Sequence, residues 1–134
     1  MLFQRREELP KGRCFVTITR AHALAYLDEA RRLNDGGWIV HSLAVGTAAE
    51  RIASHIDGLD AERAFVLGAL HDIGRRFGEM GMNHVILGYH FLLEEGDIEA
   101  AEICLTHSFP VQEITAVNGG WDLTAEDYAF LDSF

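Results

Sequence analysis

The chain has 134 residues, a formal net charge of −10 and 49% hydrophobic residues. These values suit one soluble globular domain with a single core, and they argue against broad electrostatic binding to nucleic acid or to an anionic membrane surface. The two cysteines, Cys14 and Cys104, form neither a disulfide framework nor a zinc-ribbon spacing, and no stretch approaches the roughly 18 consecutive apolar residues of a membrane span. We therefore expect a cytoplasmic protein with residues 1–134 in one domain, its core at about 20–134.

Local start and stop signals predict an all-α bundle of about six helices. The first 18 residues are expected to be irregular or weakly extended, with CFVTI (residues 14–18) as the one strand-like run. Thr19, Asp60 and Asp97 are predicted N-caps, and Gly96 is a predicted stop. Residues 75–82 are expected to form a loop rich in glycine and arginine. The helices are predicted at about 19–33, 38–55, 60–71, 83–95 and 97–106, and from 125 onwards.

The last predicted helix begins with a capping box, Thr124-x-x-Asp127. No glycine, proline or basic last turn follows before Phe134 to end it. We therefore expect the natural protein to continue beyond Phe134.

Several of the seven histidines suggest a metal site. His71 is followed directly by Asp72, His41 lies on the preceding predicted helix, and His84 and His107 lie on the two helices that follow. Helical bundles build metal sites from side chains on separate helices in this way. Imidazole and carboxylate ligands together suit Mn, Fe, Ni, Co or Zn rather than calcium.

The other three histidines are expected to be ordinary surface or hydrogen-bonded residues. They are His22, His55 and His90. His55 follows His41 by fourteen residues, which is about 21 Å along one straight helix. These two side chains therefore cannot bind the same ion.

Four segments, in order, resemble HD-domain metal-dependent phosphohydrolases of the HDIG type. The segments are Trp38–Ser42, Gly68–Arg75, Asn83–Gly88 and Ala101–His107, so that the resemblance covers roughly half of the chain. It implies the compact helical bundle of an HD domain. It also implies that His41, His71 and Asp72 bind a first divalent transition metal.

The resemblance implies further ligands. His84 and His107 match the histidines that hold a second metal in dinuclear members, with Asp72 as the bridge, so one or two ions are expected. A distal aspartate normally completes the first set, and Asp132, on the last predicted helix, is the best candidate. Asp122 and Asp127 are weaker candidates, and the true ligand could also lie beyond Phe134.

The activity that the resemblance implies is metal-assisted hydrolysis of a nucleotide or another small phosphate ester or anhydride. Asp72 would orient the attacking water as well as bind metal, and Arg75 and Arg76 would clamp phosphate unless they are simply solvated loop charges. Ser108-Phe109-Pro110 stands where the cyclic-dinucleotide branch of the family has Gly-Tyr-Pro, which argues against that branch. The expected partner is a phosphorylated small molecule, with no nucleic acid or membrane; the sequence indicates no oligomeric state.

Two other functions fit the same residues. Some HD-fold proteins use a similar ligand set for a di-iron centre that oxidises a substrate with oxygen. A non-catalytic module that binds a nucleotide or a partner protein through a decayed site is the third hypothesis. The unproven distal aspartate favours such a module, whereas five retained ligand-type residues argue against it.

Overall fold

The computed structural model describes residues 15–78, 81–109, 111, 113 and 123–134. Within them the chain is helical, and no strand is present in this described part. The all-α prediction is therefore confirmed. The helices are α1 (Arg20–Leu33), α2 (Gly37–Ala53), α3 (Ala61–Leu70), a 3₁₀ helix (Ile73–Phe77), α4 (Asn83–Glu94), α5 (Ile98–Thr106) and α6 (Ala125–Asp132).

The helix boundaries follow local capping chemistry. The side chains of Thr19, Asp60 and Asp97 each accept a hydrogen bond from a backbone N–H in the first turn of α1, α3 and α5. Thr124 and Asp127 form the predicted capping box at the start of α6. Gly96 follows α4 with a φ of 91°, a backbone conformation that glycine adopts without strain. The predicted starts of α1, α3, α5 and α6 are thus confirmed.

Three expectations need correction. The predicted loop at 75–82 is helical at its start, because Ile73–Phe77 forms a 3₁₀ helix. The last helix ends at Asp132, with Ser133 as its C-cap, rather than running on through Phe134. The structure describes residues 15–18 of the strand-like run, and these four residues do not form a strand. The N–H of Val16 donates to the carbonyl of Gly96 at 3.2 Å.

Helices α2 and α3 approach each other closely through two glycines. A Cβ on Gly68 would lie 2.9 Å from Gly46 Cα, and a Cβ on Gly46 would lie 2.9 Å from the carbonyl oxygen of Phe65. Both distances are too short for any larger residue. This contact holds the helix that bears His41 against the helix that ends at His71.

The 3₁₀ helix is held between α1 and α4 by the buried side chain of Arg76. Its Nη2 donates to Glu29 Oε2 of α1 at 2.7 Å, and its guanidinium lies 4.2 Å from the ring centre of Phe91 on α4. The Asn34 side chain, just after α1, donates to the carbonyl of Arg75 at 2.7 Å. The segment that follows His71 therefore has fixed neighbours on two sides.

A buried carboxylate, Asp97, joins the chain before α1 to α3 and α5. Its oxygens accept from the backbone N–H of Ile18 (2.9 Å), from the N–H of Ala100 (3.1 Å) and from both Nη atoms of Arg63 (2.8 and 2.6 Å). Burial would raise the pKa of Asp97, but these hydrogen bonds and the charge of Arg63 outweigh burial and lower it. Asp97 is therefore ionised in the folded protein.

We expect Asp97→Asn to lower the free energy of unfolding by about 3 kcal/mol at neutral pH, because the largely buried charge of Arg63 loses its buried partner. Since the folded-state pKa of Asp97 lies below the unfolded value of about 3.9, its contribution is present above that value and is lost as the pH falls below it. The two proteins should therefore converge in acid. Urea unfolding at several pH values measures this, with Glu99→Gln as control, since Glu99 also pairs with Arg63 but is 62% exposed. An equal loss from both substitutions would contradict the assignment.

Within the described residues, none of the helices combines the length and the apolar character needed to cross a membrane.

Candidate metal centre

The first group of ligand-type side chains comes from α2 and from the end of α3. His41 lies in the second turn of α2, His71 is the C-cap of α3, and Asp72 follows it. One nitrogen or oxygen atom of each residue lies within 4.8 Å of the others. His71 and Asp72 are buried, whereas His41 is exposed, so the group lies at the protein surface.

The second group shares Asp72 with the first. His84 lies in the first turn of α4, and His107 is the C-cap of α5. His84 Nε2 and His107 Nε2 lie 3.0 and 3.2 Å from Asp72 Oδ1. Asp72 therefore stands between two sets of imidazoles, and the structure brings together five residues that the sequence had placed on four separate elements.

Three of the four imidazoles are oriented by the same backbone contact. The Nδ1 atom of each ring faces the carbonyl oxygen three residues earlier: His71 faces Gly68 at 2.6 Å, His84 faces Gly81 at 2.5 Å, and His107 faces Cys104 at 3.0 Å. A carbonyl only accepts, so Nδ1 carries a proton in each ring, and in the neutral imidazole Nε2 then presents a lone pair. Metal-bound histidines commonly donate their other ring N–H to a carbonyl in this manner.

This orientation leaves Asp72 Oδ1 in an unusual environment. The atom is buried, yet no donor among the described residues makes a hydrogen bond to it in suitable geometry, although two imidazole nitrogens are within 3.2 Å. Lone pairs of two neutral imidazoles facing a carboxylate oxygen repel one another unless a cation lies among them. Atoms that present lone pairs to one another in this way suit the binding of a metal ion.

The electrostatics of His71 and Asp72 also suit metal binding. Burial lowers the pKa of His71 and outweighs the neighbouring carboxylate, so that the imidazole is neutral and able to bind a cation. Burial would raise the pKa of Asp72, but its surroundings, including the charge of Arg75 at 3.0 Å from Oδ2, lower it, so that the carboxylate is ionised. Neutral imidazoles and an ionised carboxylate are the forms that bind divalent transition metals. The residues present therefore fit such an ion.

The two predicted phosphate clamps lie in different surroundings. Arg75 borders the second group, with its Nε 3.0 Å from Asp72 Oδ2 and its Nη2 3.5 Å from His84 Nε2. Arg76 is buried against Glu29 and Phe91 and belongs to the packing of the 3₁₀ helix. Of the pair, Arg75 alone contacts the candidate metal ligands described here.

The distal aspartate is not identified by the geometry. Asp132 is exposed at the end of α6 and belongs to neither group, and its role as a ligand stays a prediction. Asp127 takes part in the capping box of α6, and Asp122 lies outside the described residues.

The three histidines that were expected to be ordinary surface or hydrogen-bonded residues lie outside both groups. His22 and His55 are exposed and contact residues close to them in sequence: His22 contacts the Thr19 side chain, and His55 contacts the carbonyl of Arg51. His90 is exposed and stacks on Phe130, with ring centres 6.2 Å apart.

Two features of the site were not predicted from the sequence. Gly74 was not expected to touch α4, yet a Cβ there would lie 1.9 Å from the carbonyl oxygen of His84. The space beside Gly88, one turn after His84 on α4, is filled by Cys104, whose Sγ would lie 3.0 Å from a Cβ at Gly88. Burial raises the pKa of Cys104, and its thiol donates to the carbonyl of Leu70, so this cysteine supports the packing rather than binding metal. The contact of each of these three histidines with the carbonyl three residues earlier was not predictable either, because it does not depend on the type of the earlier residue.

Comparison with known proteins agrees with this geometry. The family model described as HD domain matches residues 38–126, a range that includes His41, His71, Asp72, His84 and His107 and excludes Asp132. Neither the curated proteins nor the solved structures gave a significant match. Because the matched range covers well over half of the chain and includes both ligand groups, the chain belongs to the HD-domain family, a superfamily of the metal-dependent phosphohydrolase type.

Proposed function

We propose that this protein is an HDIG-type metal-dependent phosphohydrolase that acts on a nucleotide or another small phosphate ester or anhydride. The observation that supports the proposal most strongly is the position of Asp72, whose carboxylate is shared by two groups of ligand-type side chains. A shared carboxylate is typical of centres that hold two metal ions close together. The membership of the HD family supports the same reaction class.

In this proposal His41, His71 and Asp72 hold the first ion, and Asp72, His84 and His107 hold the second. Divalent transition metals at these positions would supply Lewis acidity, which lowers the pKa of bound water and neutralises charge on phosphoryl oxygens. Asp132 or an aspartate elsewhere would complete the first set. Mn, Fe, Ni, Co and Zn all match an imidazole and carboxylate donor set.

The chain's own residues would position the substrate. His41 is exposed, and the neighbouring Val40 is 67% exposed, so a small molecule can approach the centre from the side of α2. Arg75 has 19% of its side chain exposed beside Asp72 and carries a permanent positive charge. Its planar guanidinium suits a phosphate oxygen, which we propose as its role once substrate is bound.

The proposed partner is a phosphorylated small molecule. The formal charge of −10 disfavours large polyanions such as nucleic acid, whereas a local cationic centre attracts a single phosphate group despite the overall sign.

The test is metal-dependent phosphate release. Protein loaded in turn with Mn, Fe, Ni, Co or Zn would be assayed against p-nitrophenyl phosphate and a panel of nucleotides and dinucleoside polyphosphates. We expect turnover with at least one metal and its loss in His107→Ala, with His90→Ala as the matched control because His90 is outside both groups. Oxygen consumption by the iron-loaded protein without phosphate release would instead favour a di-iron oxygenase. Nucleotide binding without turnover would favour a non-catalytic module.

A further inference from the structure

The guanidinium of Arg75 contacts two of the side chains that form the second ligand group. Its Nε lies 3.0 Å from Asp72 Oδ2, and its Nη2 lies 3.5 Å from His84 Nε2. Asp72 and His84 are both buried, and the Arg75 side chain is 19% exposed. A permanent positive charge therefore lies against the set of acceptors that would bind a divalent ion.

The contact with His84 uses the lone pair that a metal would need. His84 Nδ1 faces the carbonyl of Gly81 at 2.5 Å, so the ring proton is on Nδ1 and Nε2 is the acceptor. Arginine has only donors, so its approach to Nε2 is favourable in this tautomer alone. Arg75 Nη2 and a metal ion would both need the same nitrogen lone pair.

The backbone of Arg75 is fixed on both sides of the peptide, so that only its side chain is able to move. The carbonyl of Arg75 accepts from the Asn34 side chain at 2.7 Å, and its N–H donates to the carbonyl of Asp72 at 3.0 Å. Any movement away from His84 must therefore occur through rotation of the long side chain. A guanidinium and a divalent ion a few ångströms apart repel each other, which supplies the force for that movement.

We infer that Arg75 is a built-in competitor for the second metal position and sets the metal affinity of the Asp72, His84 and His107 group. The inference rests on the proposed function, because it concerns the same ligands. An ion that binds at this position must displace the guanidinium and overcome the repulsion from its charge. We expect a smaller effect on the first group, because His84 belongs to the second group only.

The test is a metal titration that does not depend on activity. Zn²⁺ or Mn²⁺ would be titrated into metal-free full-length protein in competition with a chromophoric chelator. We expect Arg75→Gln to bind the second equivalent at least about tenfold more tightly than wild type does, which corresponds to about 1.4 kcal/mol. The affinity for the first equivalent should change less. Arg31→Gln is the matched control, because Arg31 is exposed on α1 and its loss changes the net charge equally.

A second variant covers the case in which Arg75→Gln folds poorly. Arg75→Lys keeps the charge but lacks the fork that reaches both Asp72 and His84, so its second-site affinity should lie between those of wild type and the glutamine variant. If both variants bound the second equivalent no more tightly than wild type does, the inference about Arg75 would be wrong, whereas the proposed function would stand. Wild-type protein that binds no metal would overturn the proposed function as well. Binding limited to one equivalent in wild type and in both variants would remove the position for which Arg75 is said to compete.

Discussion

Asp72→Asn should bind neither metal ion tightly and should lose metal-dependent hydrolysis by at least about 10³-fold in kcat/KM, which corresponds to about 4 kcal/mol of transition-state stabilisation. The reason is that this single carboxylate belongs to both ligand groups. Asparagine preserves the shape of the side chain but removes the charge that balances two cations. Its amide nitrogen would also present a donor where a ligand atom is needed.

The measurement combines kinetics with the shift of the thermal unfolding midpoint on metal addition. A metal that binds only the folded protein raises this midpoint, so wild type should show a rise that Asp72→Asn lacks. Asp28→Asn is the control, because Asp28 is a 58% exposed carboxylate that pairs with Arg32 on α1. A variant at Asp72 that kept both the metal-induced shift and the activity would contradict the assignment of Asp72 as the shared ligand.

Gly74→Ala should be the most destabilising single-methyl addition in the described part of the chain. The added Cβ would lie 1.9 Å from the carbonyl oxygen of His84 and 2.6 Å from the backbone nitrogen of Gly88. Both neighbours are backbone atoms of α4, so no side-chain rotation can relieve the clash. Overpacking usually costs about 1–3 kcal/mol, and we expect at least about 3 kcal/mol here because a whole helix must move.

The displaced helix bears His84, so the same substitution should also weaken the second metal group. Urea unfolding and metal titration measure the two effects. Gly37→Ala provides the matched control, because a Cβ on Gly37, in the first turn of α2, meets nothing within 4 Å. If Gly74→Ala were as stable as Gly37→Ala, the close contact between the 3₁₀ helix and α4 would be wrong.

Much of the fold was predictable because its signals are local. The N-caps Thr19, Asp60 and Asp97 and the capping box at Thr124 act within one turn, so residue type and spacing alone identify them. The 3₁₀ helix was missed because its support is distant in sequence. Arg76 is fixed by Glu29 and Phe91, which no local pattern relates to a segment rich in glycine and arginine.

The candidate site was likewise only partly predictable from the sequence. Its histidines and Asp72 were identified by residue type, spacing and the resemblance, and the structure brings them together. The distal aspartate could not be chosen, because Asp122 and Asp132 have no distinguishing local pattern and Asp127 has a capping role. The contact of Arg75 with His84 was also not predictable, since it depends on how the 3₁₀ helix packs against α4.

The most direct test of a shared Asp72 centre is the metal content of protein purified without chelator and then reconstituted, determined by elemental analysis. We predict two equivalents of a divalent transition metal in wild type and one in His107→Ala, which keeps His41, His71 and Asp72. Absence of bound metal in wild type after reconstitution would contradict this prediction.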